Sequence, residues 1–219
     1  MKKQEVLEQI GRVGLVPVLR ASSAEEAIAI ACAIEAGGIP ILEVTMTVPG
    51  ALELIGHLMR ATGERVLIGA GTVLDPETAR ACILAGARFI VSPAINFETI
   101  KLCRRYSVPV CAGALTPTEV VSAWESGADV VKVFPCSAVG GAKYLKALKA
   151  PFPHIEMIPT GGVSLDTARE FLDAGAFALG VGSDLVDASA IRAGRPECIS
   201  ENARRYVELV KSRVPVSLV

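Results

Sequence analysis

Asp129-Val130-Val131-Lys132-Val133-Phe134-Pro135 is a run of β-branched and aromatic residues with one lysine in its middle and a proline at its end. That composition reads as a buried strand. Side chains alternate along a strand, so Val131 and Val133 share one face and Val130, Lys132 and Phe134 the other. An amine in the middle of such a strand cannot easily reach water. Desolvation favours its uncharged form, and an uncharged amine is a nucleophile able to form a Schiff base. The alternative is a structural lysine paired with a buried carboxylate. This strand alone leaves both open.

The same unit, a short apolar strand and then a capped helix, repeats on either side of this run. An amphipathic segment over 3–10 puts Val6, Leu7 and Ile10 on one face. The apolar run from Val13 ends in Arg20, and Ser22-Ser23-Ala24-Glu25-Glu26 opens a helix that Gly37-Gly38 closes. Strand 41–45 precedes a helix over 51–61. Strand 66–70 precedes one capped by Asp75, with Pro76 at its first position. Strand 89–91 leads to a helix after Asn96, and strand 108–111 to Thr116-Pro117-Thr118-Glu119, again a cap followed by proline. The lysine strand comes sixth, with a helix over 142–149. Strand 155–158 runs through Thr160-Gly161-Gly162 into a helix over 165–174. Strand 178–181 runs into Gly182-Ser183-Asp184, and 199–212 reads as a last, outer helix. Strict alternation implies a parallel sheet. Eight units imply a closed (β/α)8 TIM barrel, a single α/β domain over 1–219 with an extra N-terminal helix. A doubly wound open sheet is the alternative, disfavoured because no Gly-x-Gly-x-x-Gly turn follows the first strand.

Composition narrows the chemistry. Of 219 residues, 51 % are hydrophobic, and 22 basic residues balance 23 acidic ones, so no basic face is offered to nucleic acid. No apolar run approaches the roughly 18 residues of a membrane span. Lys2-Lys3 is followed by Gln4, Glu5, Glu8 and Gln9, which does not read as a signal peptide. Six cysteines without Cys-x-x-Cys spacing fit a reduced, cytoplasmic interior. The two histidines, His57 and His154, leave almost no raw material for zinc ligation or a His-dependent triad. Lysine, carboxylates and hydroxyls must carry any catalysis. Trp124, the one tryptophan, sits in mid-helix and reads as packing.

Barrels of this kind place their chemistry at the C-terminal ends of strands. On the second strand Leu42, Val44 and Met46 share the helix-facing side, which turns Ile41, Glu43 and Thr45 inward. A carboxylate inside a barrel is costly without a partner or a task, and Lys132, inward by the same parity, is the partner. Nucleophile with proton shuttle is preferred over structural ion pair, because a buried ion pair contributes little net stability. After strands seven and eight, Thr160-Gly161-Gly162-Val163-Ser164 and Gly182-Ser183-Asp184 each offer bare backbone N–H groups just before a helix start. That is where barrels commonly hold phosphate. Thr72 closes strand three in Gly69-Ala70-Gly71-Thr72 and Pro93 closes strand four in Ser92-Pro93, both at the pocket mouth. For Gly69 and Gly71 close packing is the alternative to a role in the site.

Taken in order, Ile41-Leu42-Glu43-Val44-Thr45, Ile68-Gly69-Ala70-Gly71-Thr72-Val73, Val91-Ser92-Pro93, Val131-Lys132-Val133-Phe134-Pro135, Pro159-Thr160-Gly161-Gly162-Val163 and Gly180-Val181-Gly182-Ser183 span nearly the whole chain. As a set they resemble the 2-keto-3-deoxy-6-phosphogluconate (KDPG) / 4-hydroxy-2-oxoglutarate (KHG) aldolase family. The resemblance implies a class I aldolase on a trimeric (β/α)8 barrel, acting on a small keto-sugar-acid phosphate. It implies Lys132 as the Schiff-base lysine, Glu43 as general acid and base, and Thr72, Pro93 and Phe134 lining the keto-acid pocket. Gly161, Gly162 and Ser183 would hold the phosphate. One position departs from it. Many members carry Glu-Val-Thr-Leu-Arg-Thr, whose arginine meets the substrate carboxylate, whereas this chain has Glu43-Val44-Thr45-Met46-Thr47-Val48. Arg20, at the end of strand one, is the candidate replacement.

Three other readings compete. The gluconate and galactonate substrates differ at one stereocentre, so a 2-keto-3-deoxy-6-phosphogalactonate aldolase has the same motifs. A phosphosugar isomerase or epimerase would use the same phosphate-binding barrel without an imine lysine. A non-catalytic oligomeric scaffold would have no use for Glu43 and Lys132 on inward faces.

Overall fold

In the computed structural model, which describes residues 1–212, the strands are β1 Leu15–Leu19, β2 Ile41–Thr45, β3 Leu67–Gly71, β4 Ile90–Val91, β5 Val110–Ala114, β6 Val130–Val133, β7 Met157–Pro159 and β8 Leu179–Val181. The helices are α1 Lys3–Val13, α2 Ala24–Ala36, α3 Ala51–Thr62, α4 Pro76–Ala85, α5 Phe97–Arg105, α6 Pro117–Glu125, α7 Ala142–Lys149, α8 Ala168–Asp173, α9 Ala188–Arg192 and α10 Glu197–Lys211. A 3-10 turn, Cys136–Val139, follows β6. The strands pair in parallel in the order β7-β6-β5-β4-β3-β2-β1-β8. Thr160 and Gly180 close the seam between β7 and β8 with an isolated parallel bridge. This is the (β/α)8 barrel.

The caps read from sequence work as expected. Ser23 accepts from the Glu26 N–H, Asp75 from Thr78, Asn96 from Thr99 and Thr116 from Glu119. Each satisfies an otherwise unpaired donor, worth about 1 kcal/mol to the helix start. Each therefore fixes where the preceding loop ends.

Strand parity separates two cores. Leu42, Val44, Ile68, Ala70, Val131 and Val133 face outward into the layer between barrel and helices. Val16, Ile41, Leu67, Phe89, Val91, Cys111, Val130 and Ile158 fill the barrel, and Val6 and Ile10 of α1 join that inner cluster. The amphipathic face read at the N-terminus is therefore spent on the barrel interior. Lys3 anchors α1 through an ion pair of 2.7 Å to Asp129, just before β6.

Several boundaries differ from the sequence expectation. β5 lies two to three residues later than 108–111, because Ala112, Gly113 and Ala114 have little strand propensity yet pair with β6. The helix expected over 165–174 is ordered only from Ala168, since Thr167 and Ser164 hydrogen-bond each other in a turn ahead of it. α9 was not anticipated; it is a five-residue helix capped by Asp187. α10 begins at Glu197 rather than 199. Trp124 is not core packing but 44 % exposed, edge-on to His154. The expected single domain ran over 1–219, of which 213–219 lie outside the described residues.

Candidate active site

β2 and β6 bring Glu43 and Lys132 together inside the barrel. Both are buried, and the Lys132 Nζ lies 3.7 Å from the Glu43 Oε1. That separation is an ion-pair contact but too long for a good hydrogen bond. Glu43 Oε1 is fully buried and has no hydrogen-bond partner. A buried carboxylate oxygen left in this way costs folding free energy, a pattern expected where a group is kept for its chemistry. The surrounding wall is apolar, made by Val16, Phe89, Val91, Cys111 and Ile158, with Thr160 and Gly180 on the seam side. Burial, and next the Glu43 carboxylate, push the Cys111 thiol well up, so it stays protonated and is no rival nucleophile.

Glycines on neighbouring strands make the room. A Cβ on Gly71 would lie 1.9 Å from Glu43 Oε1, so the carboxylate occupies the space a side chain would take. Gly69 instead accommodates the Phe89 ring, at 2.3 Å from a Cβ. Of the pair read in Gly69-Ala70-Gly71, one serves packing and the other the site. Gly113, absent from the sequence reading, stands in register with Lys132. A Cβ there would meet the Pro93 carbonyl carbon at 2.1 Å, so the Pro93 backbone lies over β5 beside the amine. Alternation on a strand of small residues was the only signal for it.

The mouth holds the other expected residues. The Phe134 ring centroid is 5.4 Å from Lys132 Nζ, within cation–π range, and the ring is half-buried. Thr72 follows β3 with φ +56°, a left-handed conformation that costs a β-branched residue about 1–3 kcal/mol and recurs at functional sites. Thr160 is buried against Gly180, where a Cβ would sit 2.1 Å from its Oγ1. Thr45 is fully buried and donates to the Leu19 carbonyl at 3.0 Å. Because that uses its only proton, the 2.7 Å contact with Thr47 has the Thr47 hydroxyl donating to Thr45. The two threonines thus tie β2 to the peptide that leads into Arg20. Arg20 itself is exposed and makes no side-chain hydrogen bond or ion pair among the described residues.

At the seam, the backbone N–H groups of Gly161, Gly162, Gly182 and Ser183 have no acceptor among the described residues. Gly161 and Gly162 have φ of +89° and +77°. The turns do not run straight into helices as the sequence reading had it. α8 and α9 start several residues further on, so free turn amides rather than helix ends are what is presented. Asp184 spans the gap, its Oδ2 accepting from the Leu165 N–H at 3.3 Å and from the Tyr206 hydroxyl. Among the described residues no three His, Cys, Asp or Glu side chains come together as a metal site. No described helix is long and apolar enough to cross a membrane.

Comparison with known proteins agrees with this geometry. The family model described as KDPG and KHG aldolase matches residues 6–201. A protein of Treponema pallidum named 2-dehydro-3-deoxy-phosphogluconate aldolase is 34 % identical over 205 residues, covering 94 % of this chain and 97 % of that one. The 2-dehydro-3-deoxy-6-phosphogalactonate aldolase of Escherichia coli K12 is 36 % identical over 205 residues, covering 93 % of this chain and 97 % of that one. Among solved structures, the KDPG aldolase of Legionella pneumophila, with pyruvate captured as a covalent carbinolamine, superposes with a TM-score of 0.84 at 31 % identity. The match covers 91 % of this chain and 96 % of that one.

Proposed function

Since the chain belongs to the KDPG and KHG aldolase family, we propose that it cleaves 2-keto-3-deoxy-6-phosphogluconate through a Schiff base on Lys132. The observation that carries this is the buried Lys132–Glu43 pair at 3.7 Å, in which the carboxylate oxygen facing the amine makes no hydrogen bond. The uncharged amine attacks the C2 ketone, and the carbinolamine loses water to give a protonated imine. Glu43 moves the protons of that dehydration and then takes the C4 hydroxyl proton. The C3–C4 bond breaks, and its electron pair passes through C2 to the imine nitrogen. This releases glyceraldehyde 3-phosphate and leaves an enamine. Protonation at C3 and hydrolysis of the imine free pyruvate and restore the lysine. The balance needs no metal or organic cofactor.

Thr72, Pro93, Phe134 and Thr160 shape the keto-acid end. The free amides of Gly161, Gly162, Gly182 and Ser183 form the phosphate cradle. Glycine is required where a backbone must approach an anion closely. Cleavage of the gluconate and galactonate phosphates and of 4-hydroxy-2-oxoglutarate, compared by kcat/KM, tests the assignment. KDPG is expected to lead, a galactonate preference would make the enzyme the epimeric aldolase, and no pyruvate from any of them would reject it.

The cradle has its own test. Side chains at Gly161 or Gly162 would strain a left-handed backbone, and at Gly162 also strike Ser137 Cβ at 2.4 Å. Gly182 has open space around it and no positive φ. Gly182→Val therefore leaves the fold intact and crowds only the anion. KM for KDPG should rise about tenfold, while cleavage of 4-hydroxy-2-oxoglutarate, which has no phosphate, changes little. Equal losses on both would mean a general defect.

Arg20 supplies the cation for the substrate carboxylate, because Thr47 stands where the family's arginine usually does and a buried charge needs a partner. Its attachment through Leu19 to Thr45 sets its backbone beside β2, and its guanidinium has no carboxylate partner among the described residues. Arg20→Met should weaken pyruvate in the condensation direction by about 1.5–3 kcal/mol, the worth of a charge-assisted hydrogen bond. KM for the aldehyde phosphate should barely move. If the aldehyde phosphate weakens instead, Arg20 serves the other end.

The assembly is a cytoplasmic homotrimer. A designed cage built by fusing symmetric oligomeric domains superposes with a TM-score of 0.85 at 34 % identity, covering 92 % of this chain and 73 % of that one. Leu84 of α4, Phe97 of α5 and the nearby Leu74 are each more than half exposed, apolar surface that self-association would cover.

A further inference from the structure

α10 reaches the turn after β8 with two polar side chains. Tyr206 of α10 is fully buried and donates its hydroxyl to Asp184 Oδ2, the same oxygen that accepts from the Leu165 N–H at 3.3 Å. Asn202, one turn earlier, reaches the Asp184 carbonyl at 3.5 Å. Asp184 directly follows Ser183, and Leu165 lies three residues past Gly162. One carboxylate therefore joins the two turns whose amides stand free, above the Thr160–Gly180 bridge.

The barrel is thinly paired at this seam. β7 and β8 share no ladder and are joined by that isolated bridge and by the Phe177 N–H donating to the Met157 carbonyl at 2.9 Å, while β3 and β4, the next thinnest pair, have the single register Ala70–Ile90. Two turns that must converge on one anion would otherwise be free to separate, and a loosely held set of donors binds weakly. α10 is a rigid support. Ile199, Ala203 and Val210 are buried, Ser200 donates to the Ala33 carbonyl at 2.9 Å, and Gly37 is so close that a Cβ would meet Ala203 at 2.2 Å. Burial, and then the bond to Asp184, push the Tyr206 phenol up, so it remains a donor throughout the working pH range.

We propose that Asp184 and Tyr206 are positioning residues for the phosphoryl end of the substrate: α10, through Tyr206, holds Asp184 across the seam and keeps the two turns at the spacing one phosphate requires. This rests on the phosphate cradle argued above. Neither side chain touches substrate, so removing the link should alter affinity for the phosphorylated substrate and leave the imine chemistry alone.

The test uses the full chain with Tyr206→Phe, which keeps the buried ring and removes only the hydroxyl. KM for KDPG and the inhibition constant of inorganic phosphate should each rise about five- to tenfold. KM and kcat for 4-hydroxy-2-oxoglutarate should stay within about twofold of the parent. Asp184→Ala should reproduce the split, and Asp184→Asn, which keeps an acceptor oxygen, should largely restore KDPG affinity. Equal losses on both substrates, or a lower melting temperature without the split, would make the link merely structural and overturn the proposal. Gly182→Val separates the two levels. If it raises the KDPG KM selectively while Tyr206→Phe does not, the cradle stands and the positioning role falls; if neither does, the cradle itself is wrong.

Discussion

Lys132→Ala should lose pyruvate release altogether, with kcat down by about 10⁴-fold or more, the scale on which loss of a covalent nucleophile acts. Nothing nearby can replace the amine. Cys111 in the same wall is held protonated by burial. Lys149, half-buried on α7, is committed to the Pro153 and Ile155 carbonyls at 3.0 and 2.9 Å. The variant should stay folded, because Val131 and Val133 hold the outer face of β6 and Val130 its inner end. It does leave Glu43 as a lone buried carboxylate, which costs stability unless the group takes up a proton. A lower melting temperature with native circular dichroism is compatible with that. Residual cleavage within tenfold of the parent would exclude an imine at this residue.

Glu43→Gln should lower kcat by about 10²-fold or more, the usual contribution of general acid–base catalysis. The amide is isosteric, Gly71 leaves it the same space, and Glu43 Oε1 has no hydrogen bond to lose. The fold should therefore be kept, with some loss of stability because Lys132 loses its ion-pair partner, and the catalytic deficit should lie in proton transfer. Imine formation should be slowed yet still detectable, since the nucleophile is intact. Unchanged turnover would reduce Glu43 to an ion-pair partner for Lys132.

The pairing of Glu43 with Lys132 could be read before any coordinates, because two independent strands each gave the inward parity of one residue. The starts of α4, α5 and α6 were equally legible, since Asp75, Asn96 and Thr116 are caps by residue type alone. Gly113 was not. It sits on a strand of alanine and glycine that carries almost no β signal, and its purpose appears only when Pro93 is seen lying across it. The Asp184–Tyr206 link and the Thr47–Thr45–Leu19 chain were beyond sequence for another reason. Residues 22 and 26 positions apart meet through single hydroxyls, and no periodicity records such a contact. The ends of β4 and β8, at Val91 and Val181, fell where the Ser92-Pro93 and Gly182-Ser183 turns put them.

Reduction with borohydride in the presence of pyruvate, followed by peptide mass mapping, tests the central claim most directly. A class I aldolase traps its own imine, whereas an isomerase, an epimerase or an inert scaffold traps none. One reduced pyruvate per chain on Lys132, absent from Lys132→Ala, is the expected result; an adduct on another lysine, or none at all, would contradict the mechanism.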